Sequence, residues 1–272
     1  MKILISTDIE GVAGVFHPEQ TRPNNSEYER ARVWMTNEAN AAVCGAFDGG
    51  AKEVIVNDSH GSFRNIIADK LDPRARLLQG KPRYLSMVSG VETSPNALFM
   101  IGYHAKAKSR GILAHTINGF AFARIWLNDI ELGEAGLYGA LAGEFNVPVA
   151  MICGDNIFIE ETLPLFPNVT SVETKQAEGQ NSGLSLTPEA SCQAIYNAAR
   201  MLIEKPAQWQ PYRITPPVTC RLQTQTPALA DLFGQLPIVE RLEGDLIQFA
   251  AENVQSAIRI INCFSAMSMM LR

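Results

Sequence analysis

The sequence predicts an α/β protein: a mostly parallel, covered sheet with helices on both faces, plus a smaller C-terminal α+β domain. Three observations carry this. Apolar runs of strand length recur at Ile3–Ile5, Val54–Val56, Ala97–Gly102 and Val147–Cys153, and such continuous runs suit strands buried on both sides. A long helical stretch, roughly Glu27 to Phe47, lies between the first two, with Trp34, Met35, Ala39, Ala42, Val43 and Ala46 at helical spacing. The composition then changes after about residue 205, where Pro206, Pro211, Pro216 and Pro217 punctuate a linker.

Local signals justify the elements in turn. Gly49-Gly50 supplies the stop expected after the first helix. The β-α-β order with buried strands then implies parallel pairing. Thr187-Pro188-Glu189 opens a helix running to about Glu204, with Thr at the N-cap and Pro at the first helical position. Past the linker, Val218–Gln223 reads as a strand, and Thr226-Pro227 starts a helix that stops at Gly234. Ile238–Leu242 and Leu246–Ala250 suit a hairpin, and Asn253–Leu271 a closing helix. The expected division is an α/β domain over 1–205 that carries the chemistry and a small α+β domain over 206–272. The polar stretch Glu173–Leu184 reads as a plain surface loop, with closure over substrate as the alternative.

A chain of 272 residues, 46% hydrophobic and 19% charged, buries a sizeable core. Its formal net charge of −5 and lack of any Lys/Arg-rich run argue against nucleic acid as a partner. Met1-Lys2 leads straight into a short strand, so the N-terminus reads as neither signal peptide nor membrane span, and no membrane partner is expected. Cys44, Cys153, Cys192, Cys220 and Cys263 are scattered, odd in number and free of any C-x-x-C pair. That pattern fits reduced thiols and a cytoplasmic location.

The chemistry concentrates at strand ends. Val54-Ile55-Val56 breaks into Asn57-Asp58-Ser59-His60, and Leu98–Ile101 into Gly102-Tyr103-His104. The first strand likewise ends in Ser6-Thr7-Asp8-Ile9-Glu10-Gly11. Ligands of open α/β sheets bind outside the carboxyl ends of the strands, so parallel strands would deliver Asp8, Glu10, His60 and His104 to one rim. Imidazole and carboxylate suit Zn²⁺, with Mn²⁺, Fe²⁺ or Co²⁺ as substitutes. A carboxylate can bridge two ions, as in paired-metal hydrolytic sites. His17, beside Pro18, reads as a loop residue, Asp58 as an Asx turn or a partner orienting His60, and Asp155 as a helix N-cap.

Taken in order, these motifs resemble one family. Ser6-Thr7-Asp8-Ile9-Glu10-Gly11 matches the S-x-D-x-E-G signature of the D-aminopeptidase metallopeptidases associated with dipeptide-transport operons. Asn57-Asp58-Ser59-His60, Gly102-Tyr103-His104-Ala105, Leu113-Ala114-His115-Thr116 and Gly133-Glu134-Ala135-Gly136 follow in the same order. The match is dense over about residues 1–155 and thin beyond. The resemblance implies a dizinc aminopeptidase that removes N-terminal D-residues from short peptides. It implies Asp8 as the bridge between the ions, with Glu10, His60, His104 and Glu134 as the other ligands, and His115 as the catalytic residue. It also implies a cytoplasmic homo-oligomer, a decamer of stacked pentamers. Glu131 and Asp129 compete with Glu134 as the last ligand. His115 could act as acid–base, oxyanion donor or nucleophile.

Two other functions remain at this point. A dinuclear amidohydrolase or phosphoesterase would share the ligand types, although a phosphoesterase wants basic residues around its phosphate. The nearby cations are Lys106, Lys108, Arg110 and Arg124, without a cluster at a strand end. A catalytically silent peptide-binding homologue is the other. The preference for D-residues rests on the resemblance alone.

Overall fold

The computed structural model describes residues 1–272. In chain order the elements are β1 (Lys2–Thr7), α1 (Ser26–Asp48), β2 (Glu53–Asp58), β3 (Arg76–Leu78), β4 (Ala97–Ile101), β5 (Phe122–Leu127) and β6 (Ile130–Glu131). Then come α2 (Glu134–Glu144), β7 (Val149–Asp155), α3 (Asn156–Thr162), β8 (Thr170–Gly179), β9 (Ser182–Ser185) and α4 (Pro188–Glu204). The chain closes with β10 (Val218–Thr224), α5 (Pro227–Phe233), β11 (Glu240–Arg241), β12 (Leu246–Ala251) and α6 (Val254–Met267). Both Thr-Pro helix starts are in place, but only Thr187 caps with its side chain, which accepts the Ala190 N–H; Thr226 makes no such bond, and Asn253 caps α6 by accepting the N–H of Ser256.

The larger sheet has the order β3-β2-β1-β4-β7-β8-β9. All its pairs are parallel except β8 with β9. Alternation within the strands shows that both faces are covered. Ile3, Ile5, Val54, Val56, Phe99 and Ile101 point into one core with α1 and α4, while Leu4, Ile55, Leu98 and Met100 point into the other. The chain runs outward from β1 to β2 and β3, then returns to β4 on the other side of β1. The gap between β1 and β4 is therefore the topological switch point, where ligands of such sheets bind.

The smaller sheet is antiparallel, in the order β11-β12-β10-β5-β6. The expected strand, helix, hairpin and closing helix after residue 217 are all present. The expected break at residue 205 does not divide this sheet, because β5 and β6 come from residues 122–131. Leu222 of β10 lies opposite Ile125 of β5. Without β5 the inner edge of β10 would be left unpaired, and an open edge is costly to expose. One apolar cluster also runs through both parts, from Leu4 and Leu98 to Phe249 and Phe264.

The stretch 173–184 also differs from expectation. It is the β8–β9 hairpin, and Lys175 on it is fully buried. The Thr174 hydroxyl donates to Gly11 O (2.7 Å) and Gly154 O (3.1 Å), which ties the hairpin to the ends of β1 and β7.

Glu38 of α1 is buried between α1 and the start of α4. Its Oε1 accepts the Ala13 N–H (3.0 Å) and the Ser191 hydroxyl (2.7 Å), while Oε2 has no partner. Burial pushes its carboxyl up from 4.5 to about 7, against the Ser191 hydroxyl, the Ala13 amide and the Lys175 charge. The folded state therefore holds this proton more tightly than the unfolded chain. The associated stability is complete below the ordinary value of 4.5 and is lost as pH rises through about 7. Glu38→Gln keeps the acceptor and removes the titration. Its stability relative to wild type is expected to rise by up to about 3 kcal/mol between pH 4.5 and pH 8, as read by urea unfolding at each pH. An unchanged difference across that range would refute the assignment.

Candidate active site

The backbones of β1 and β4 continue side by side past their last strand residues. Asp8 donates its N–H to Ile101 O, and Gly11 donates to Gly102 O, both at 2.8 Å. Two glycines permit this approach. A Cβ on Gly11 would fall 1.9 Å from Tyr103 O, and one on Gly102 would fall 2.3 Å from Asp8 O. Gly102 also has φ +71, the left-handed region that favours glycine. The glycines of the two motifs thus let the segments bearing Asp8, Glu10 and His104 face one another.

Beneath them lies a buried polar network. The Ser6 hydroxyl meets the Ser59 hydroxyl (2.8 Å), the Tyr103 hydroxyl (2.7 Å) and Met87 O (2.6 Å). It joins the ends of β1, β2 and β4, with every hydroxyl satisfied. Asp58 belongs to a different structure. Its carboxylate accepts the N–H groups of Asn65 (2.5 Å) and Ile66 (2.7 Å) and the amide of Asn65 (2.7 Å), and so folds the loop after β2. It makes no contact with the His60 ring.

All six residues expected at the site converge. His60 Nδ1 lies 3.0 Å from Asp8 Oδ1 and 3.1 Å from Glu10 Oε2. His104 Nε2 lies 3.5 Å from Asp8 Oδ2 and 3.4 Å from Glu134 Oε1. His115 Nε2 is 3.7 Å from Glu134 Oε1, and the His115 ring stacks on His104 with centroids 4.2 Å apart. Asp8, Glu10, His104 and Glu134 are buried, while His60 and His115 are partly open. Glu134 opens α2, as a first-turn acid would, and also turns its carboxylate into the cluster, where Ile117 N–H donates to it at 2.6 Å. Its two rivals point elsewhere: Glu131 pairs with Arg124 (3.6 Å) and Asp129 with Arg221 (2.6 Å).

Each imidazole has one nitrogen tied to a main-chain carbonyl. His60 Nε2 donates to Thr21 O (2.8 Å), His104 Nδ1 to Ala105 O (3.0 Å) and His115 Nδ1 to Leu113 O (2.9 Å). A carbonyl only accepts, so those nitrogens carry the hydrogens. The opposite nitrogens then present lone pairs to carboxylates, which also only accept. Glu10 Oε2 and His104 Nε2 accordingly have no hydrogen-bond partner although both are buried. Such a set of acceptors needs a cation among them: a second proton on the imidazoles, or a metal ion. Burial opposes charge on His60 and His104, but Glu10 and Asp8 beside the first, and Glu134, Asp8 and Glu10 beside the second, hold both pKa values well above the ordinary one. Burial also opposes the Glu10 carboxylate, yet His60, with His115 and His104, holds its carboxyl well below the usual range. Two triads, Asp8–Glu10–His104 and His104–His115–Glu134, each bring three donor atoms within 4.8 Å of one another. The donor types and their mutual distances fit divalent metal binding.

Two groups to which the sequence analysis gave no part in the site hold its loops. Lys175 Nζ donates to Glu10 O (2.5 Å) and Val15 O (2.6 Å), pinning both ends of the segment that carries Glu10. Burial pushes its ammonium down to about 8, against the raising influence of Asp155, Glu38 and Glu10. Asp155 caps α3 through the Phe158 N–H (2.8 Å), as expected, and its other oxygen accepts the Ile112 N–H (2.6 Å) in the loop leading to His115. Lysine is rarely buried whole, and one inside a polar strand gives no periodic signal of its burial. His17 caps a short 3₁₀ turn, away from the cluster.

Fold and site together define a class: a doubly wound α/β protein with a buried carboxylate–imidazole centre for divalent metal at its switch point. The chain belongs to the D-aminopeptidase family of peptidases, M55, whose family model matches residues 1–263. A D-aminopeptidase of Bacillus subtilis (strain 168) is 37% identical over 209 residues, which are 76% of this chain and 73% of that one. A solved structure, the Zn-dependent D-aminopeptidase DppA from Bacillus subtilis, described as a self-compartmentalizing protease, superposes with a TM-score of 0.95. It is 29% identical, with 99% of this chain and 98% of that chain covered; the lower identity belongs to the longer alignment.

Lys175→Met is expected to free the Glu10–Val15 segment, since both carbonyls lose a charge-assisted donor. The expected cost is about 3 kcal/mol in urea unfolding, together with weaker binding of added Zn²⁺ by calorimetry. Wild-type stability and affinity in this variant would show that the clamp is idle.

Proposed function

We propose that the protein is a cytoplasmic zinc aminopeptidase that removes N-terminal D-residues from short peptides and works as a homo-oligomer, in the form of a decamer of stacked pentamers. The observation that carries this reading is the acceptor-only cluster at the β1/β4 switch point, in a chain of the D-aminopeptidase family. Its DppA neighbour is Zn-dependent and self-compartmentalizing, which supports zinc and self-association here.

In this reading the site would hold two zinc ions. Asp8 lies between His60 and His104 with one oxygen toward each, which suits it to bridge. Glu10 and His60 would help hold one ion, and His104 and Glu134 the other. Bound zinc would supply an activated water and a Lewis acid for the scissile carbonyl. The remaining work falls to the chain. Leu113 O fixes the His115 tautomer, so Nε2 is the basic atom, and the partly open ring borders the cleft. Nε2 takes up a proton during attack and returns it to the leaving amine, the role to which an imidazole is best matched near neutral pH. Glu10, at the floor of the same cleft, offers its carboxylate to the substrate α-amine.

His115→Ala is expected to keep both zinc ions and lose activity by about a hundredfold or more, while Asp8→Ala loses metal and activity together. Elemental analysis beside turnover on paired D- and L-alanyl peptides reads both outcomes. Near-normal turnover in His115→Ala would remove the acid–base role. Active protein without metal would overturn the reading as a whole, and equal rates on the two stereoisomers would overturn the preference for D-residues.

A further inference from the structure

A cleft of about 950 Å³ opens over the cluster, with Glu10 and His115 in its lining. Its charge is opposite in sign to that of the protein. The chain carries a net −5, yet among the lining side chains Glu10 is the only carboxylate, against three cations: Arg22, Lys108 and Arg272, the last of which also carries the main-chain carboxylate of the final residue. Arg22 has a distant partner in Glu19 (4.0 Å). Lys108 and Arg272 have none, and their neighbours are neutral. Lys108 Nζ donates only to Gln225 Oε1 (3.2 Å), and the Gln225 amide is itself anchored on Gly119 O and Phe122 O, both at 3.1 Å. The Arg272 guanidinium rests over the Phe120 ring, 5.0 Å from its centroid.

Lys108 is also held in an unfavourable backbone state. Its φ of 68 is left-handed, a region that costs a non-glycine residue about 1 kcal/mol or more. Of the other cations close in sequence, Arg110 is exposed and outside the lining of the cleft, and two more are neutralised. Lys106 pairs with Glu161 (3.2 Å) and Arg124 with Glu131 (3.6 Å), so neither competes for an anion in the cleft.

We propose that Lys108 and Arg272 form a carboxylate-binding subsite that selects short peptides with a free C-terminal carboxylate. The inference rests on the aminopeptidase reading above. Once the α-amine sits by Glu10, the part of a di- or tripeptide beyond the scissile bond extends by about 3.5 Å per residue. Its terminal carboxylate would then extend along the same cleft, whose lining includes Lys108 and Arg272. An ammonium with two free N–H donors and a planar guanidinium are the groups that bind such an anion. Ground-state and transition-state complexes share this contact, so it acts on KM rather than on kcat.

The test compares a D-alanyl dipeptide as free acid and as C-terminal amide, on zinc-loaded wild type and on Lys108→Met, Arg272→Met and the double variant. Wild type is expected to show a KM about tenfold or more higher for the amide, with a much smaller change in kcat. The double variant is expected to raise KM for the acid and to erase the acid–amide difference. Equal KM values for acid and amide in wild type would overturn the subsite, as would a double variant that keeps the full preference. Hydrolysis of neither peptide by wild type would overturn the aminopeptidase reading itself, a distinct outcome from hydrolysis of both with equal KM.

Discussion

Hydrogen-bond acceptors outnumber donors at the switch point of the larger sheet, and much of the structure exists to hold them there. Three carboxylates face three imidazoles, each with one nitrogen already committed to a main-chain carbonyl, of Thr21, Ala105 or Leu113. Left alone, such a set would repel itself or swell with water. Parallel strands covered on both faces prevent either response, because β1, β2 and β4 are registered by their ladders and packed into two apolar cores. The centre therefore takes up a cation, and the rigidity of the sheet becomes affinity for that cation.

A ring of buried polar groups extends this constraint outward. Lys175 holds both ends of the Glu10–Val15 segment, Thr174 holds Gly11, Glu38 holds Ala13, and Asp155 holds Ile112 in the other loop. These groups come from α1, β7 and β8, elements far apart in sequence. Burial raises the Glu38 carboxyl and lowers the Lys175 ammonium. Both side chains thus sit where burial disfavours their charged form, and each fixes main-chain atoms of the site.

The smaller sheet contributes differently. By pairing β10 with β5 it carries the 115–122 loop against Gln225 and the C-terminal residues, so the wall of the cleft is built from both halves of the chain. Acidic groups gather at the cleft floor and unpaired cations at its wall. A short peptide carries the complementary order of charges, an amine at one end and a carboxylate at the other.

The sequence alone determined the parts with short-range causes. Strand cores are legible because continuous apolar runs bury on both faces. Helix starts at Thr187 and Thr226 are legible because a start signal depends on one or two residues. Asp8, Glu10, His60 and His104 are legible because each follows directly on a strand. Tertiary structure decided what depends on distant neighbours. It set β4 beside β1, turned Glu134 into the cluster and Glu131 and Asp129 toward arginines, and drew β5 and β6 into the sheet of the C-terminal segment. It also buried Lys175 on what reads locally as a polar surface stretch. Burial and pairing of a side chain are properties of what packs against it, and in this fold that partner stands as far away in the chain as Lys175 does from Glu10.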